Sequence, residues 1–117
     1  MQDSLENLQA AIDDFVRKRD WQQFHSPKNL SMALAVEAGE LMEHFQWLSQ
    51  QKSHNLDEKT RQEVAMEMAD VLIYLIRLAD QLEVDLLAAS REKMVTNGQK
   101  YPVDRCRGRA DKYSAYR

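Results

Sequence analysis

Apolar residues recur along this chain at helical spacing, in four runs separated by polar, aperiodic segments. Leu5, Leu8, Ile12, Phe15 and Val16 recur behind Asp3 and Ser4, either of which can cap, so a first helix is expected to about Lys18. The following segment, RDWQQFHSP, has no period and ends in Ser26 and Pro27, a capping hydroxyl ahead of the residue best tolerated at a first helical position. A second helix is expected from Pro27 to about Leu48, with Leu34, Ala38, Leu41, Phe45 and Leu48 along one face. Residues 49–57 read as a loop, where Asn55 with Glu58 resembles a capping box for a third helix from about Leu56 to Glu83. That helix contains VAMEMADVLIYLIRLA, apolar on nearly every side, and is therefore expected to be buried all round. Asp85 can cap a fourth, shorter helix, LLAASREKMV, expected to stop at Asn97 and Gly98, a pair suited to a left-handed turn.

Four helices without a strand signal predict an all-α fold: a four-helix bundle-like protomer in a single domain, 1–117, with a basic C-terminal tail from about 101. Composition agrees, since 44% hydrophobic residues exclude disorder, and only 3 Gly and 2 Pro are too few for a many-stranded fold. A chain of this length cannot cover a helix that is apolar all round, so a second copy is expected to. The net charge of -3 is unevenly placed: residues 100–117 hold six Lys or Arg against two Asp. An acidic chain with one short basic segment is a poor electrostatic footprint for nucleic acid, and none is expected as a partner. Cys106 is the single cysteine, so no internal disulfide can form, and a lone thiol is what a reducing cytosol tolerates. Asp3 and Glu6 stand where a signal peptide would want cations, and no apolar run nears about 18 residues, so the expected location is cytoplasmic, away from membranes.

The polar residues of the third helix share one stripe. At 100° per residue, Glu63, Glu67, Asp70, Tyr74 and Arg77 fall within roughly an 80° arc. Carboxylates in an apolar setting cost several kcal/mol unless paired or metal-bound, so something positive must face them. The second helix offers no cation; Glu37, Glu40 and His44 form a parallel stripe that adds two more carboxylates. Two acidic stripes on packed helices call for a divalent ion, and oxygen ligands without cysteine suit Mg²⁺, with Mn²⁺ as the alternative, better than zinc. The plainer reading is two solvated faces. A di-iron bundle wants a Glu with a His three residues later on two helices, which neither Glu40 nor Glu67 has.

These residues carry a resemblance. EAGELMEHFQW followed by EMADVLIYL resembles the MazG-like all-α nucleoside triphosphate pyrophosphohydrolases, whose hallmark is E-x-x-E on one helix and E-x-x-D on a later one. Here the hallmark falls on Glu37, Glu40, Glu67 and Asp70. The stretch from RDWQQFH to FQW is similar to the dCTP pyrophosphatase branch, and the likeness continues through NGQKYP at 97–102. A departure is Ile12, where that branch carries a polar, base-facing residue. The resemblance implies hydrolysis of a nucleoside triphosphate, dCTP or a modified dCTP, to monophosphate and pyrophosphate in nucleotide-pool house-cleaning. It also points to assembly, for which we expect a homotetramer built as a dimer of dimers.

On this reading Glu37, Glu40, Glu67 and Asp70 hold Mg²⁺ on the phosphates, and Glu40 is the candidate for orienting or deprotonating water. Trp21, Phe24, Trp47 and Tyr74 can stack on a base, with Tyr74 one turn beyond Asp70; Gln23 and His25 can hydrogen-bond base or sugar. Lys100 and the tail arginines can supply cations for triphosphate oxygens. The rival is a non-catalytic helical oligomerisation module with a basic tail.

Overall fold

The computed structural model describes residues 3–116, and among them all regular structure is helical. The chain divides into two compact units, residues 1–83 and 84–117.

The first unit holds α1 (Leu5–Lys18), α2 (Pro27–Glu43), a single turn α3 (Gln50–Ser53) and α4 (Glu58–Gln81). Each start is set by a side-chain cap: Ser4 accepts from the Asn7 amide, Ser26 from Asn29, Ser49 from Lys52 and Asp57 from Thr60. The long helix α4 is the spine against which α2 and α1 pack. Leu30 and Ile76, 1% and 2% exposed, are the most deeply buried side chains, joined by Ile12, Val16, Val64 and Ala79. Polar ties complete the α1–α4 contact: Gln9 donates to Asp80 at 2.8 Å, and Arg77 pairs with Asp13 at 3.3 Å.

Several expectations are corrected. α2 ends at Glu43, short of Leu48, because its apolar spacing continues into tight turns in which the Phe45 amide bonds the Met42 carbonyl and Leu48 that of Phe45. The expected loop 49–57 contains α3, and Asp57 rather than Asn55 caps α4. α1 and α4 close into left-handed residues without glycine, Asp20 and Glu83, both at φ 54°. In the single chain α4 also keeps apolar residues open to water, as one copy of this length would leave them: Met66 and Met68 are 65% and 57% exposed, and Leu72, Ile73 and Leu75 also reach solvent. No described helix is long and apolar enough to cross a membrane.

The second unit holds α5 (Leu86–Lys100), capped by Asp85 as expected, the short α6 (Val103–Cys106) and a 3₁₀ turn, Tyr113–Tyr116. α5 runs through Asn97 and Gly98 instead of stopping there; an added Cβ at Gly98 would meet nothing within 4 Å. Most of the tail's residues stay exposed, but it turns about Tyr116, which is buried. Its ring meets Tyr101 edge-on at 5.9 Å and carries the Arg109 guanidinium at 5.1 Å, while its hydroxyl accepts from the Asp111 amide.

Leu30→Ala removes the most deeply buried side chain of α2, the helix packed on α4. It should lower unfolding free energy by about 2–5 kcal/mol in urea melts. A loss below about 1 kcal/mol would mean that Leu30 is not the centre of this packing.

Candidate metal and nucleotide site

The packing of α2 on α4 brings the two acidic stripes together. Glu37 from α2 and Glu67 and Asp70 from α4 each offer a carboxylate oxygen, and the three atoms lie within 4.8 Å of one another. Glu37 and Glu67 are half-buried, Asp70 exposed. Oε2 of Glu37 and Oε2 of Glu67 are cut off from solvent and have no hydrogen-bond donor. A buried carboxylate oxygen without a donor is a costly thing to fold around. The strain registers on Glu37, whose pKa is raised from 4.5 to about 7, first by burial, then by the hydrogen bond and charge of Glu40 and by the charges of Asp70 and Glu67. Glu40 thus sits beside Glu37 on α2, one turn on and outside the converging trio. The donor set is all oxygen, its buried atoms lack partners and its charges repel, which fits a hard divalent cation.

The loop 20–26 leading into α2 is well pinned. Gln23 turns back to donate to the carbonyl and carboxylate of its neighbour Asp20, and the Asn29 amide group donates to the Phe24 carbonyl at 3.0 Å. Trp21 is half-exposed with its ring edge-on to Phe15 at 5.8 Å, and Phe24 is exposed. Nδ1 of His25 accepts from Nε of Arg77 at 3.2 Å. Tyr74 lies half-buried on α4, one turn beyond Asp70, and Trp47 is 88% exposed past the end of α2. Lys100 belongs to the second unit, its ammonium 4.9 Å above the Tyr113 ring.

The MazG-like family's sequence model matches residues 32–115, a span that takes in both acidic motifs. The chain belongs to the MazG-like family. Among curated relatives of this MazG-like chain, dCTP pyrophosphatase 1 of Rattus norvegicus is 45% identical over 113 residues, covering 95% of this chain and 66% of that protein. The Homo sapiens protein of the same name is 40% identical over the same length. The chain therefore spans just under two thirds of the length of these relatives. A solved pyrophosphatase from Archaeoglobus fulgidus DSM 4304 superposes with a TM-score of 0.81 at 38% identity, covering 87% of this chain and 95% of that one.

Sequence reasoning placed Arg77 on the acidic stripe of this MazG-like chain but missed what it does. It is the one buried charged side chain among the described residues, 3% exposed, and binds Asp13, Asp80 and His25 together. The missed signal was its position: a cation embedded in LIYLIRLA needs partners, here supplied from α1 and α4.

The raised Glu37 pKa has a sign that can be tested. Between the ordinary 4.5 and about 7 the folded state holds more protons on this group than the unfolded state, so its destabilising effect is full above pH 7 and vanishes as pH falls below 4.5. In chelator, Glu37→Gln should melt several degrees above wild type at pH 8, and the gap should close towards pH 4.5. Added Mg²⁺ should raise wild type and not the variant. A pH-independent gap would remove Glu37 from the strained cluster.

Proposed function

We propose that this chain is a divalent-cation-dependent nucleoside triphosphate pyrophosphohydrolase, using Mg²⁺ or Mn²⁺ and favouring cytosine deoxynucleotides, modified ones included, in cytoplasmic nucleotide-pool house-cleaning. The observation that carries the reading is the pair of buried, donorless oxygens on Glu37 and Glu67 converging with Asp70. Membership of the MazG-like family supports the reaction, and the name of the curated relatives, dCTP pyrophosphatase 1, supports the base.

Glu37, Glu67 and Asp70, with Glu40 beside them, would hold the cation. When bound, it would offset the charge of the triphosphate and favour attack of water on the α-phosphorus with pyrophosphate as leaving group. Glu40, outside the converging trio, would accept a proton from the attacking water. The half-buried Tyr74 and the pinned ring of Trp21 would stack on the base, Phe24 and Trp47 offering further aromatic surface, and the polar groups of Gln23 and His25 would meet base or sugar.

The proposal includes self-association into a tetramer, a dimer of dimers. Met66, Met68, Leu72 and Ile73 on α4 and Met32, Val36 and Met42 on α2 are all exposed in one chain, more apolar surface than a monomer usually leaves to water. Light scattering should find a homo-oligomer at assay concentration. A monodisperse monomer with full activity would contradict this part.

Turnover of dCTP in ¹⁸O-water should place the label in the monophosphate and release pyrophosphate first. Orthophosphate as first product would overturn the reaction proposed. Glu40→Gln and Asp70→Asn should each reduce kcat at least about a hundredfold without lowering the melting temperature, because either change removes one of several repelling charges. Near-normal rates at limiting Mg²⁺ would show the ligands wrongly assigned.

A further inference from the structure

We propose that Arg77 is a positioning residue for the loop that precedes α2: its guanidinium locks His25 as the Nε2–H tautomer, so that the ring offers a neutral donor to an acceptor oxygen of the bound nucleotide. The second half of this rests on the hydrolase reading above; the first does not.

The geometry leaves the ring little choice. An arginine Nε–H is always a donor, so the His25 nitrogen facing it at 3.2 Å, Nδ1, must be an acceptor. The ring proton then belongs on Nε2, which makes no hydrogen bond within the described residues. A second proton on the ring would set N–H against N–H and charge against charge. Burial and the Arg77 charge both act the same way, holding the His25 pKa below its ordinary value.

Arg77 itself is held rigidly. One guanidinium nitrogen, Nη1, reaches Asp13 of α1 at 3.3 Å and Asp80 of α4 at 3.1 Å. With the Gln81 amide turned to face it, that side chain's oxygen accepts from Nη2 at 3.0 Å. The two carboxylates have other partners as well, Arg17 on Asp13 and Gln9 on Asp80, so neither needs Arg77 to avoid isolation. An arginine whose side chain is 4% exposed, spending its Nε on a histidine of a loop far away in sequence, fixes that histidine more firmly than the α1–α4 contact alone requires. The loop's other fastenings, from Gln23 and Asn29, orient its backbone and leave the ring to Arg77.

The test reads the ring directly. Long-range proton–nitrogen correlation spectra of the ¹⁵N-labelled full chain distinguish protonated from unprotonated ring nitrogens, and loss of one set in His25→Gln assigns it among the three histidines. Wild type should show His25 with Nδ1 unprotonated and Nε2 protonated near neutral pH. In Arg77→Met the pattern should relax to a tautomer mixture, and KM for dCTP should rise about tenfold, the worth of one well-placed hydrogen bond, with kcat changed less than about twofold. The double variant His25→Gln/Arg77→Met should have the KM of His25→Gln alone. Should Arg77→Met fail to fold by circular dichroism, Arg77→Lys keeps the charge opposite Asp13 and Asp80, lacks the Nε–H, and is read in the same way. Nδ1 protonated in wild type, an unchanged ring in the Arg77 variant, or additive effects in the double variant would overturn the proposal. A locked ring in a chain that hydrolyses no nucleoside triphosphate would uphold the lock and overturn the hydrolase reading and the donor role built on it.

Discussion

Two carboxylate oxygens, one on Glu37 and one on Glu67, are shut away from water with no donor to meet them, and the arrangement of the first unit follows from tolerating that. Helices α2 and α4 must pack, because Leu30, Val64 and Ile76 have nowhere else to go. Packing carries the acidic stripes along with the apolar ones. The fold thus holds negative charge together with apolar burial, and proton uptake at Glu37 relieves part of the repulsion. A bound cation would be another relief. Such a cluster is poor for stability and would be well suited to holding a cation, because relief of the repulsion would add to the affinity.

The stripe of α4 holds charge in two different ways. Near its middle Glu67 and Asp70 converge with Glu37, acid against acid; toward its end Arg77 faces Asp13 and Asp80 and is already satisfied. The satisfied end ties α1 to α4 and grips His25, so the ion network supports the loop while the acidic cluster keeps its charge without a cation beside it among the described residues. Ile12 and Val16 close the same α1 face with apolar contact.

Much of this was legible in the chain. Caps at Ser4, Ser26 and Asp85 were readable because a short polar side chain before a periodic run has few other roles. The pairing of the acidic motifs was legible from helical spacing, since three-residue steps place the carboxylates of each of two packed helices on one stripe. Helix ends were harder. The α2 periodicity ran on into His44–Leu48, where short i−3 bonds take over without a change in residue type, and Asn97–Gly98 looked like a stop although α5 continues to Lys100. Burial of Arg77 and the grip on His25 depend on partners more than fifty residues away, which no local pattern reports. The tail's fold around Tyr116 was hidden by its basic composition.

The central claim is that Glu37, Glu67 and Asp70 form a cation site whose repulsion is stored as protonation. Calorimetric titration of the chelator-treated protein with Mn²⁺, in buffers of differing ionisation enthalpy, measures both the binding and the protons it displaces. With the Glu37 pKa at about 7, binding at pH 7 should release roughly half a proton per site from this group, the release should shrink well above pH 7, and Glu37→Gln should abolish it. Mn²⁺ binding with no proton release at pH 7, or no binding in the millimolar range, would contradict the account.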